Sequence, residues 1–261
     1  MNDGSLGWYI ADSTSLLRDS LSIFTPQGQL VRWINQGRRQ IARRTGCIRL
    51  LITGQSSFGN SSQPGFFVPG GAIPGNLPDA ADGSGSTNLF MTIPNQEMYP
   101  FKGFINDFLR AQYEGADMVS DIIEPAISWG GSFRPVQNWL PFEQYQAWVR
   151  VYQILSSAFP SVWTTNGDGE NQQFWVYPPP VEALEMELDV FAIPKNLYSD
   201  DDYDLLPESF RQAVKFYASG MAFLNTRPAQ ASIMFNQFAD TIGVARFAAD
   251  MGKMSSYYDW L

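Results

Sequence analysis

Three carboxylates, Glu185, Glu187 and Asp189, alternate along the stretch LEMELDVFAI. Alternate positions of a strand lie roughly 6 to 7 Å apart on one face, and paired carboxylates can serve as the acid and base of a carboxylate-dependent hydrolase. Catalytic carboxylates, however, come from different strands and converge in a cleft that perturbs their pKa values. Three like charges on one strand describe the wetted side of a sheet. Asp200, Asp202 and Asp204 have the opening ligand spacing of a calcium loop, but Leu205 stands where that loop requires glycine and Arg211 where it requires glutamate. The absence of histidine removes the commonest general base, the commonest metal ligand and every Ser-His or Cys-His arrangement. The single cysteine, Cys47, cannot form an intrachain disulfide, and Gly252-Lys253 is followed by Met254 instead of the Ser or Thr of a phosphate loop. Neither acidic cluster demands an enzyme, and no catalytic, metal-binding or cofactor-binding residues are singled out.

The elements that would position these residues are readable from periodicity. In LEMELDVFAI the positions Leu184, Met186, Leu188, Val190 and Ala192 form an apolar face opposite the acidic one, which predicts a half-buried strand. Phe174 to Tyr177 is expected as its antiparallel neighbour, with Pro178, Pro179 and Pro180 ending the pairing in a stiff hairpin over 173–194. Leu30, Ile34, Gly37 and Ile41 recur at helical spacing and Gly46 is a stop signal, so a helix is predicted from Gln29 to Thr45. That region carries Arg32, Arg38, Arg39, Arg43, Arg44 and Arg49, six of the 17 basic residues. They describe either a solvated face or a contact with an acidic partner.

From Gly54 to Thr87 the chain is dominated by Gly, Ser and Pro, and no Lys or Arg occurs between Leu50 and Phe101. A surface loop is expected there, followed by a β-rich block to about residue 140 with a short helical piece at Ile105 to Ala111. A helix should follow Pro141, with Phe142, Tyr145, Val149 and Tyr152 as its core-facing stripe. Two further helices carry apolar seams at steps of four and three, Phe210, Val214, Tyr217, Met221 and Leu224, then Ala231, Phe235, Phe238, Ile242 and Ala245. The short join between them predicts an antiparallel αα-hairpin.

At 261 residues and 29.3 kDa the chain suits one large domain, and its 44% hydrophobic and 15% aromatic content predicts an ordered core. A net charge of −9 argues against generic nucleic-acid binding, which needs Lys and Arg to neutralise phosphates. No apolar run approaches a membrane span, and the opening stretch MNDGSLGWYIADSTS lacks the regions of a secretory signal, so cytosol-like conditions are expected.

The order of LVRWINQGRRQIARRTG, a β-rich middle, FWVYPPPVEALEMELDVFAIPKNL and LLPESFRQAVKFYASGMAF with a second helix resembles the head-to-tail adaptor proteins of tailed bacteriophages, also called connector or head-completion proteins. The likeness covers roughly the first 50 and last 120 residues. It implies an α+β fold in one domain over 1–261: a helical core over about 11–50 and 141–252, an inserted β-rich region, a C-terminal αα-hairpin and a tail over 253–261. It also implies a structural protein of the virion neck, made in the host cytoplasm, that forms a ring of twelve copies between the portal protein and a tail or nozzle protein. Viral DNA would pass through without sequence-specific binding, and the resemblance implies a protein that is not an enzyme, with no membrane and no cofactor. Tyr257, Tyr258, Trp260 and Leu261 are expected beyond the last helix as a portal anchor. Arg32, Arg38, Arg39, Arg43 and Arg44 are expected to meet a neighbouring subunit or the portal, and Glu185, Glu187 and Asp189 to face the channel and repel DNA. The competing classes are a carbohydrate- or protein-binding accessory module of a phage tail, and the hydrolase already considered.

Overall fold

The computed structural model describes residues 4–18, 25–53, 90–129, 131–152, 157 and 159–258; the Gly/Ser/Pro-rich stretch falls outside them. The fold is mixed α+β, with six helices and two four-stranded sheets among the described residues. The chain divides into two compact units, one comprising Met1–Ile48, Gly115–Asp117 and Ala192–Leu261, the other Arg49–Glu114 and Met118–Phe191.

The first unit is built on four helices: α1 (Leu6–Leu17), α2 (Gln27–Thr45), α5 (Glu208–Phe223) and α6 (Pro228–Tyr258). Helix α1 starts earlier than the helical core expected from about residue 11, because the Ser5 side chain accepts from the Trp8 N–H at 3.2 Å and caps it. Helix α2 ends where Gly46 takes a left-handed φ of 59° and donates to the Ala42 carbonyl. Its buried face, Leu30, Ile34, Gly37 and Ile41, is the expected seam. Gly37 is required by proximity: a Cβ there would lie 2.9 Å from the ring of Tyr217 on α5. The expected αα-hairpin is present, with α5 and α6 in contact. Ala231, Phe238 and Ala245 are buried along α6, and the Tyr217 ring packs 5.3 Å from that of Phe238. Among the described residues no helix is long and apolar enough to cross a membrane.

The second unit holds most of both sheets and the short helices α3 (Asn106–Gln112) and α4 (Phe142–Tyr152). One sheet has the order β1 (Arg49–Thr53), β8 (Met186–Pro194), β3 (Ala116–Trp129) and β4 (Ser132–Pro135). The other has the order β2 (Met98–Pro100), β7 (Gln173–Tyr177), β6 (Val162–Asn166) and β5 (Asn138–Trp139). Aromatic rings fill the space around β2 and α3, with Phe90 and Phe108 at 4.7 Å and Tyr99 and Phe174 at 6.1 Å.

The expected hairpin over 173–194 is not formed. Strand β7 is bonded on both edges, to β2 and β6, while β8 lies between β1 and β3 in the other sheet. Neither strand has an edge left for the other. The prolines cause the separation: they cannot donate to a ladder, and the carbonyls of Pro179 and Pro180 accept instead from the N–H groups of Ser157 and Asn95 at 3.0 and 2.8 Å. The alternation in β8 is as expected, with Met186, Leu188, Val190 and Ala192 buried and Glu187, Asp189 and Phe191 half-buried.

The close approach at Gly37 yields a stability prediction. Gly37→Val should drive Tyr217 from its rotamer and destabilise the protein by about 1–3 kcal/mol, measured by urea unfolding; an unchanged midpoint would show that α2 and α5 can separate freely.

Candidate partner-binding groove

The arginines of α2 divide according to the face each occupies. Arg38 lies on the buried face, one helical turn after Ile34, with 1% of its surface exposed. Its Nε and Nη2 donate to the two carboxylate oxygens of Asp204 at 2.7 and 2.5 Å, a bidentate pair. Its Nη1 donates to the Asn35 side chain at 2.8 Å and the Lys195 carbonyl at 3.0 Å. Asp204 is satisfied further by the Tyr9 hydroxyl at 2.8 Å and the Leu206 N–H at 3.0 Å. Burial, reinforced by the Asp204 charge, pushes the Tyr9 phenol well above its ordinary range, so it remains a donor. Asn35 completes the network by accepting from the Leu197 N–H and donating to the Leu197 carbonyl, both at 2.9 Å.

This network fixes the backbone of 195–206 against α1 and α2. The Leu6 and Gly7 N–H groups donate to the carbonyls of Asp202 and Asp200, each at 3.1 Å. The Asp202 carboxylate accepts from the Ser199 and Tyr198 N–H groups at 2.9 and 2.7 Å, which holds its pKa below the usual carboxylate range. The acidic run is therefore divided among separate tasks: Asp204 neutralises Arg38 and Asp202 builds a turn.

Between α1, α2 and this turn lies a groove of about 840 Å³, with Leu6, Ile10 and Val31 as its apolar wall. Arg32, Arg39 and Arg43 supply its charge, against Asp200 as the carboxylate in its lining. Arg39 is held by Asp117 at 3.1 Å and reaches the Asn196 side chain at 3.5 Å. Arg32 and Arg43 are exposed and make no ion pair among the described residues. Arg44 sits elsewhere, 6.0 Å from the centroid of the Phe238 ring on α6. Arg38 is withdrawn from the set expected to meet a partner, because its donors are spent inside the chain.

The acidic strand does not assemble into a site. Asp189 is paired with Arg49, whose Nε lies 2.8 Å from both of its oxygens, and Glu187 accepts from the Thr53 hydroxyl at 3.2 Å. Glu185 contributes its carbonyl to the Ser128 N–H at 2.8 Å. At the other end of the chain, α6 continues through Tyr257 and Tyr258 instead of stopping before them, while Trp260 and Leu261 lie outside the described residues. The buried ion pair was missed by the periodicity argument. Its sequence signal was an arginine standing among the apolar positions of α2.

A helical unit with a polar, arginine-lined groove and carboxylates committed to structural pairs is suited to holding other proteins, the work of a structural phage adaptor. The chain belongs to the SU10 adaptor protein family, whose model matches residues 5–257. Comparison with curated proteins gives no match.

The ion pair gives a sharp test. Asp204→Asn should cost about 3–5 kcal/mol by leaving Arg38 buried without a counter-charge, whereas Arg38→Met combined with Asp204→Leu should recover much of that loss. Chemical denaturation of both singles and the double would check it, and additive losses would show that the pair does not act as a unit.

Proposed function

We propose that this protein is the ring-forming adaptor between the portal of a phage capsid and its tail, with the DNA passing through the ring. Membership of the adaptor family along nearly the whole chain is the observation that carries this reading. The ring, of twelve copies, stands at the neck of the virion after assembly in the host cytoplasm; its partners are the portal protein, a tail or nozzle protein and neighbouring copies of itself.

Each candidate surface has a task in this reading. The groove at Arg32, Arg39 and Arg43 takes an acidic surface of the portal or of the next subunit, because the exposed guanidinium groups of Arg32 and Arg43 seek carboxylates. Tyr257 and Tyr258, in the last turn of α6, act with Trp260 and Leu261 as the portal anchor, aromatic side chains being favoured at interface centres. Glu185 and Glu187 face the channel, where carboxylates repel phosphate and let DNA slide. Asp189 contributes less to that repulsion, since Arg49 neutralises it.

Two experiments test these assignments. Arg32→Glu with Arg43→Glu should change stability by no more than about 0.5 kcal/mol, as these are exposed positions, yet abolish capture of the portal protein or ring assembly in a pull-down. Normal capture and normal rings would remove the groove from the interface. Deleting Ser255 to Leu261 should leave the fold intact and release DNA from filled heads; a cryo-EM reconstruction of the neck lacking a ring of this chain would overturn the whole reading.

A further inference from the structure

Helix α6 is apolar on two opposite sides. Ala231, Phe238 and Ala245 form its buried side, with Phe238 against the Tyr217 ring of α5. At about 100° per residue, Ile233, Asp240, Val244 and Phe247 fall within about 60° of one another on the far side. Ile233, Val244 and Phe247 are 53%, 70% and 67% exposed, and Asp240 is exposed among them. The Asp240 carboxylate makes no ion pair or hydrogen bond among the described residues. Arg246, the nearest charged residue of α6 in sequence, lies about 120° around the helix from it. Two apolar sides call for two packing partners, and α5 is one of them.

The groove beside α2 has the complementary character. Its charged lining is Arg32, Arg39, Arg43 and Asp200. Arg39 is neutralised by Asp117, so Arg32 and Arg43 against Asp200 leave a single positive charge in surplus, which a single carboxylate offsets. Its apolar lining is Leu6, Ile10 and Val31 with the Tyr198 ring, which is 76% exposed. Lengths agree as well: the α6 stripe from Ile233 to Phe247 runs about 21 Å, and the α2 wall from Gln27 to Arg43 about 24 Å. Asp240 is the midpoint of the stripe, about 10.5 Å from either end, and Arg39 stands about 12 Å along α2 from Val31. Laid along the groove in either direction with one apolar end over Val31, the stripe brings its carboxylate beside Arg39 and about one turn from Arg43.

These matches favour a second copy over the portal as the occupant. A ring of one chain is closed by a head-to-tail contact, in which a patch on each copy meets a different patch on the next. Both halves of such a contact are present in the first unit. Copies that each carry a net charge of −9 repel one another, so the contact that joins them needs a cationic patch, and the groove supplies it. We propose, taking the ring reading as given, that the outer stripe of α6 docks into the α1–α2 groove of the next copy. Ile233, Val244 and Phe247 pack on Ile10, Val31 and Tyr198, and Asp240 pairs with Arg43, an amphipathic helix laid in a groove.

Two variants of the full chain test this contact. Arg32→Glu with Arg43→Glu spoils the groove, and Asp240→Arg with Val244→Glu spoils the stripe; all four positions are exposed, and circular dichroism verifies each fold. In analytical ultracentrifugation each variant alone should self-associate at least about tenfold more weakly than the wild type. Mixed, they should give a dimer with one copy of each and nothing larger, because one intact groove and one intact stripe remain. Arg43→Glu with Asp240→Arg in a single chain should regain the assembly that either reversal alone loses. Undiminished self-association of the groove variant, as an α6-to-α6 contact would give, would overturn the proposal. So would a stripe variant that assembles like the wild type and loses only portal capture, the result of a portal occupant. A wild-type chain still monomeric at about 100 μM has a contact too weak to build a ring, and that outcome rejects the pairing too. A ring seen in the neck while both variants assemble normally would remove this contact and leave the ring reading standing; the mixed dimer without a ring in the neck would do the reverse.

Discussion

A guanidinium at a core position of a helix is tolerated only when each of its donors is matched, and Arg38 meets that condition through Asp204, Asn35 and the Lys195 carbonyl. The pair is not chiefly a source of stability, since taking two charges out of water costs about as much as their attraction returns. What it imposes is a geometric constraint. The segment from Lys195 to Leu206 has one position in which the Asp204 carboxylate, the Leu197 backbone and the Lys195 carbonyl all meet α2, and any slip leaves a buried charge exposed to an apolar surrounding. Tyr9 extends the same constraint to α1.

The groove is a consequence of that constraint. Its walls are α1, α2 and the turn at Tyr198 to Asp202, and the turn is held by the Asp202 carboxylate and by backbone donors from α1. Arg32 and Arg43 are therefore presented on a rigid frame, so that little ordering entropy opposes a partner at the backbone level. Arg39 is steadied by Asp117. A helix whose inner arginine is neutralised and whose outer arginines remain exposed combines a folding role with the binding role proposed for it on successive turns.

In the second unit the organising constraint is strand saturation. Both edges of β7 and both edges of β8 are bonded, so the prolines between them do not make a hairpin corner; they carry the chain from one sheet to the other. The acidic side of β8 then finds Arg49 and Thr53 across the β1 ladder, and a row that reads as a potential site becomes a row of cross-strand pairs.

Sequence alone determined the elements whose information is local. The α2 seam, the αα-hairpin with its steps of four and three, and the alternation of β8 follow from side-chain period, because a helix or strand must turn its apolar residues to one side whatever it packs against. The family resemblance was likewise carried by the order of those elements. Tertiary structure alone decided which strands became neighbours, because pairing depends on which edges remain open after distant segments have docked. It also decided how the buried arginine is neutralised, since the groups that meet Arg38, the Lys195 carbonyl and the Asp204 carboxylate, lie 157 and 166 residues away in sequence.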